Sequence, residues 1–271
     1  MKLFRSRDRV DTPPPAGSPL HLANDHFRAG RYAEAAAEAR AVAEGDPRHA
    51  PPARSIVATA LGAQGRHAEA LAEYDALLPV FGRKYGAEHL LTLQLRSNRA
   101  QTLIALDRYA ECEVECAAVA RAAVRGTGPQ IPILAGAARN GQIYAVNAQG
   151  RHEEAEALAR DALTARDSPD RLTLALRLGL ARSLNGQARH EEALTEAQRA
   201  EDLQRSLSEA QRRPETGAVE LATATALVGL GRSAEARPLV VAARDACVAA
   251  FGPDHYRVAE ARALLDRIDG A

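Results

Sequence analysis

GRYAEA from Gly30, GRHAEA from Gly65, DRYAEC from Asp107, GRHEEA from Gly150, ARHEEA from Ala188 and GRSAEA from Gly231 are six near-copies of one phrase. Their arginines, Arg31, Arg66, Arg108, Arg151, Arg189 and Arg232, stand 35, 42, 43, 38 and 43 residues apart. Periods of this size mark stacked helix pairs, in which each unit buries its apolar face only against its neighbours. Seven residues before each phrase come Ala23, Ala58, Ala100, Ile143, Ala181 and Ala224; four before it come His26, Leu61, Leu103, Val146, Leu184 and Leu227. Five residues after each opening come Ala35, Ala70, Cys112, Ala155, Ala193 and Ala236. Small side chains at two fixed places let two helix backbones approach closely, and the turn between them makes an antiparallel hairpin.

This register resembles the tetratricopeptide repeat, whose unit is a helix A with a small residue, a Gly-x-Tyr turn and a helix B that opens near an alanine. The resemblance spans about residues 18 to 268. It implies an all-α fold, a right-handed α-solenoid of about six helix pairs with a C-terminal capping helix. The family period is about 34 residues, so most units here are longer by roughly two helical turns. YGAEHLLTLQLR from Tyr85 and FGPDHYRVAEAR from Phe251 repeat the connecting text as well, and resemble the lengthened repeats of kinesin light chains and of many bacterial regulators.

The spacing predicts helix pairs over 18–44, 51–84, 88–125, 131–166, 169–211 and 215–250, and a thirteenth, single helix over 254–268. Gly45-Asp46-Pro47, Gly126-Thr127-Gly128-Pro129 and Asp167-Ser168-Pro169 punctuate the breaks. Asp167 or Ser168 is the expected N-cap of the fifth pair. Residues 18–271 are read as one superhelical domain, since a solenoid adds core repeat by repeat. Residues 1–17, MKLFRSRDRVDTPPPAG, are charged and rich in proline and are expected to form a disordered tail. They lack the apolar run of a secretory signal or membrane helix, so a cytoplasmic protein is expected.

Lys plus Arg and Asp plus Glu both number 35, which leaves no net positive field to gather nucleic acid or an anionic membrane. With three cysteines no zinc set can be made, and Cys112 and Cys116, four apart on one helix, suit a core better than a disulfide. His67, His152 and His190 fill the slot of Tyr32 and Tyr109, so they read as packing and turn residues, not metal ligands. No phosphate loop, nucleophile elbow or dinucleotide fingerprint occurs, and neither a cofactor nor catalysis is expected.

What remains is surface. The resemblance implies that the A helices line the concave side. Their free positions in pairs four and five are Asn140, Tyr144 and Asn147, then Leu178, Arg182 and Asn185, each set at i, i+4 and i+7 on one stripe. With Asn98 and Gln101 of pair three they form the expected peptide-binding groove, because an amide both donates to and accepts from an extended backbone. Arg182 would meet a carboxylate. Arg54, Arg96, Arg139, Arg177 and Arg262 recur at one register, either as a ladder for an acidic ligand or as braces between helices. The expected partner is another protein or a peptide, with no nucleic acid and no membrane, and the terminal repeats offer a route to a homodimer. Two other readings are a sensor closing on a short signalling peptide or small molecule, and an enzyme using Tyr144, Arg182 and the histidines.

Overall fold

The computed structural model describes residues 18–126, 130–166, 168–253 and 255–270. These fall into two compact units, divided between Gly141 and Gln142. The first holds α1 (His21–Arg28), α2 (Tyr32–Gly45), α3 (Ala50–Ala63), α4 (His67–Tyr85), α5 (Leu90–Ala105), α6 (Tyr109–Arg125) and the start of α7 (Ile131–Ala148). The second holds the end of α7, then α8 (His152–Thr164), α9 (Arg171–Gly186), α10 (His190–Ser206), α11 (Glu209–Arg212), a 3-10 turn (Arg213–Glu215), α12 (Ala218–Gly229), α13 (Ser233–Phe251) and α14 (Tyr256–Asp269). Every regular element among the described residues is helical, and the fold class is that of an α-solenoid. The A helices are α1, α3, α5, α7, α9 and α12, and α14 follows as an unpaired seventh. The expected tail at residues 1–17 and the cap at Asp167 lie outside the described residues.

The repeated phrase is a helix stop and a helix start joined at one residue. Its first residue has positive φ in all six copies: 79°, 81°, 77° and 74° at Gly30, Gly65, Gly150 and Gly231, and 56° and 58° at Asp107 and Ala188. The amide of the next residue, the arginine, donates to the carbonyl five residues back, as Arg66 does to Leu61 and Arg189 to Leu184, both at 3.0 Å. This is a Schellman closure, which satisfies carbonyls that the helix end would otherwise leave bare. Glycine takes this conformation freely, whereas Ala188 carries a cost of about 1 kcal/mol. The arginine then turns back to the glutamate three residues on: Arg66 to Glu69, Arg108 to Glu111, Arg189 to Glu192 and Arg232 to Glu235, at 2.6 to 2.8 Å. Those hydrogen bonds hold the four carboxyls below their ordinary range.

Both small slots are fully buried in all six copies, from Ala23 and Ala35 to Ala224 and Ala236. The apolar slot between them is also closed, with Leu61, Leu103, Val146, Leu184 and Leu227 at most 5% exposed. A buried leucine of this kind contributes about 2 kcal/mol. Ile143 breaks the small-residue rule yet is completely buried. Gly179 of α9 makes the room, since a Cβ there would lie 3.0 Å from Ile143 Cγ2.

Two of the boundaries that differ from expectation have a local cause. The helix expected to run to residue 211 stops at Ser206, because Ser208 and Gln211 form a capping box that starts α11. The fifth A helix begins at Arg171, capped by Asp170, whose carboxylate accepts from the Thr173 amide at 2.9 Å. The repeated connecting text also has a physical role. Gly86 and Gly252 have φ of 100° and 93°, and His89 and His255 follow as N-caps that accept from Leu91 N and Arg257 N. Each imidazole stacks back on the aromatic that ends the preceding helix, Tyr85 at 5.3 Å and Phe251 at 4.4 Å between ring centroids.

Candidate functional site on the A helices

The expected groove residues belong to two environments. In the first unit, Asn98, Gln101 and Asn140 are half-buried. Gln101 has a buried Oε1 without a hydrogen-bond partner. Its amide nitrogen lies 3.7 Å from where a Cβ on Gly141 would stand, so the glycine leaves it space.

In the second unit the stripe divides by register. Asn147 and Asn185 sit three residues before their phrases and turn into the stack. Asn147 is 5% exposed; its Nδ2 donates to Ser183 Oγ at 2.9 Å and its Oδ1 meets His152 Nδ1 at 3.1 Å. Asn185 repeats this one hairpin later, with Nδ2 toward Ala222 O at 3.4 Å and Oδ1 3.2 Å from His190 Nδ1. These amides tie one helix pair to the next, in place of the free face expected from their spacing. The histidine rings complete the joint by covering Gly186 and Gly229, where an added Cβ would come within 2.4 and 2.3 Å of the ring.

Tyr144 and Arg182 stay at the surface and come together. The Arg182 guanidinium lies over the Tyr144 ring, 5.1 Å from its centroid. Glu260 of α14 meets Arg182 Nη1 at 3.1 Å, and Tyr256, one turn earlier, sets its ring edge-on to Tyr144 at 6.2 Å. The Arg182 and Glu260 side chains remain 42% and 35% exposed. Burial pushes both phenols above their ordinary pKa, with Arg182 opposing that rise at Tyr144. The Glu260 carboxylate strengthens the proton affinity of Arg182. Three A-type helices, α7, α9 and α14, thus place two aromatic rings and an ion pair at one point. The stripe register omits Tyr256 and Glu260 because they come before Arg262 on α14, whereas the stripe positions of the other A helices follow this arginine; their i,i+4 spacing was the available signal.

The recurrent arginines mostly brace. Arg54, Arg96 and Arg177 donate to Glu73, Glu115 and Glu196, each nineteen residues on in the partner helix, at 2.9, 2.7 and 2.9 Å. In the first unit a cavity of about 420 Å³ is lined by Asp75, Thr92, Arg96, Arg99 and Glu115, whose charges pair with one another. Cys112 and Cys116 are buried with their sulfurs 3.8 Å apart, and that contact, with burial, raises the Cys116 thiol well above its ordinary pKa. Among the described residues, no three His, Cys, Asp or Glu side chains gather where a metal could bind. No described helix is long and apolar enough to cross a membrane.

A sequence model described as tetratricopeptide repeat matches residues 52–111, and a second with the same description matches 137–161 and 217–241. The chain carries tetratricopeptide repeats. No curated protein matches it in sequence. Among solved structures, its fold is similar to tetratricopeptide-like repeats ascribed to a kinesin light chain of Podospora anserina, with TM-score 0.60 and 19% identity over 69% of this chain and 93% of that one. A tetratricopeptide repeat protein from Parabacteroides merdae gives TM-score 0.63 and 16% identity over 92% and 85%. PlcR of Bacillus thuringiensis gives 0.57 and 16% over 82% and 74%. In the tetratricopeptide unit seen here, helix B reaches 19 residues in α4 and α13, in keeping with the long sequence period.

Proposed function

We propose that this chain is a non-catalytic, cytoplasmic scaffold or adaptor that takes a segment of another protein along the free face of its A helices, without a cofactor. Tetratricopeptide repeats as a class mediate protein–protein contacts, and a solenoid offers a long surface while using few residues at any one point. The observation that carries the reading is the meeting of Tyr144 with Arg182, a half-buried aromatic ring and an exposed cation on neighbouring A helices. In this reading Tyr144 and Arg182 touch the partner. Asn98, Gln101 and Asn140 offer amides in the first unit, and Asn147 and Asn185 hold the helices that present the contacts.

A second reading, a sensor for a short peptide or small molecule, draws support from the convergence of α7, α9 and α14 on one point, which suits a compact ligand. PlcR, similar in fold, has been solved in complex with the peptide PapR7 and DNA.

The test is affinity capture from lysate of the native host with wild type and a Tyr144→Ala/Arg182→Gln variant of equal helicity. A partner retained by wild type and lost by the variant supports the scaffold. A partner held equally by both moves the site away from this face. Compaction in solution scattering on adding a peptide fraction, with no protein captured, favours the sensor.

A further inference from the structure

The Arg182–Glu260 pair differs from the other ion pair that α14 makes with the groove-side elements. Arg257 and Glu215 are 5% and 6% exposed and meet at 2.8 Å, and Arg257 also donates to Pro214 O and Thr216 O at 2.8 and 3.2 Å. Val258, Ala261, Leu264 and Leu265 of α14 are buried as well. The helix is therefore anchored independently of Glu260. An exposed ion pair such as Arg182–Glu260 contributes little to stability, and Glu260 needs only a rotamer change to leave. When it does, Arg182 and the face of Tyr144 form a cationic, aromatic seat with one unmet carboxylate position.

We propose that Glu260 is a built-in pseudo-ligand: it fills the carboxylate position of the Tyr144–Arg182 seat until an acidic side chain of the bound segment takes its place. The inference rests on the groove reading above and adds to it the chemistry of the ligand and a reason for restrained affinity. A segment without an acidic side chain gains nothing from opening the seat, because Arg182 would exchange Glu260 for a weaker acceptor. Tyr256, four residues before Glu260 on the same face, marks the apolar neighbour that such a segment would also meet.

The experiment is selection from a displayed library of random linear segments with no free C-terminus, so that side chains supply every carboxylate. Wild type, Glu260→Gln, Arg182→Gln and Tyr144→Ala are compared, each checked for unchanged helicity and melting. The expected result is that wild type selects segments with Asp or Glu at one position, and that Asn or Gln there abolishes binding. Glu260→Gln then binds the same segments up to about fivefold tighter, the scale of one exposed ion pair. Arg182→Gln loses them. Segments that bind wild type through Tyr144 without needing an acid, or that bind Glu260→Gln no better, overturn the pseudo-ligand and leave the groove reading standing. If no selected segment depends on Tyr144, both fall.

Discussion

His67 in the second hairpin and His152 and His190 in the fourth and fifth open their helices at the same place in the phrase, yet their surroundings differ. His152 and His190 each have an asparagine five residues earlier, Asn147 and Asn185, and cover a glycine in a later helix. At His67 the position five residues earlier is Gly62, and Nδ1 is buried without a hydrogen-bond partner. Where the slot holds Tyr32, the residue five earlier is Phe27, and the two rings pack at 5.2 Å. In three of the six copies the two positions therefore act as a unit: Phe27 with Tyr32, Asn147 with His152, and Asn185 with His190. His67, without an asparagine five residues earlier, lacks the polar half of the joint.

The largest expected break is at the glycines. Gly186→Ala or Gly229→Ala drives a methyl into the histidine ring and should cost about 1–3 kcal/mol of unfolding free energy, read by urea titration, as overpacking does. The corresponding Ala105→Gly in the first unit should cost less than about 1 kcal/mol, from helix propensity alone. A gain at Gly186 and Gly229, the propensity benefit of alanine over glycine, would mean that the rings do not interlock the second unit. Next comes Asn147→Ala, which leaves His152 Nδ1 without its partner and Ser183 Oγ with only its bond to Gly179 O, and should cost about 2 kcal/mol. A double-mutant cycle with His152→Ala should show that most of this loss is shared. Additivity would separate the two residues.

Gly62→Asn runs the comparison in reverse. A Cβ at 62 meets nothing closer than Ala70 Cβ at 3.9 Å, so a side chain can start there without a clash. It should supply the missing partner of His67 and remove a helix-interior glycine, for a gain of about 1 kcal/mol. A loss would show that the second hairpin is shaped differently from the fourth and fifth.

These differences explain what could be read before the fold was known. The turns and the small slots were legible because each is a purely local or nearest-helix demand, repeated six times with the same residue types. Asn147 and Asn185 were legible as a stripe but not as struts: helical spacing says which residues share a face, not whether a neighbouring helix covers that face. Only the recurrence of Asn with His, five apart, carried that information, and it occurs twice. Tyr144 and Arg182 were placed together by register. Tyr256 and Glu260 were not, because their meeting depends on how successive repeats turn, which no single phrase encodes. Ile143 looked irregular until Gly179, thirty-six residues later, accounted for its volume. The capping histidines, His89 and His255, were visible as repeated text without a reason; the reason is the positive-φ glycine before each and the ring stacked behind.

The smallest effect is a pH dependence confined to the second hairpin. Burial lowers the His67 pKa below its ordinary value of 6.5. The unfolded chain then takes up a proton first as pH falls, so stability contributed by the neutral ring is present above about 6.5 and is lost between there and the lowered folded value. Glu69, Glu111, Glu192 and Glu235, held down by their arginines, lose stability in the same direction, but only as pH falls below their ordinary value of 4.5. The two windows separate. Urea unfolding at about pH 7.5 and about pH 5.5 should show wild type less stable at the lower pH by under about 1 kcal/mol, because solvent still reaches part of the ring and screens its charge. His67→Tyr, which restores the residue of the Tyr32 and Tyr109 copies, should remove that difference. Gly62→Asn should reduce it, since an amide oxygen beside Nδ1 accepts from the protonated ring. If the slope survives in His67→Tyr, the histidine is not its source, and the missing asparagine has no consequence beyond packing.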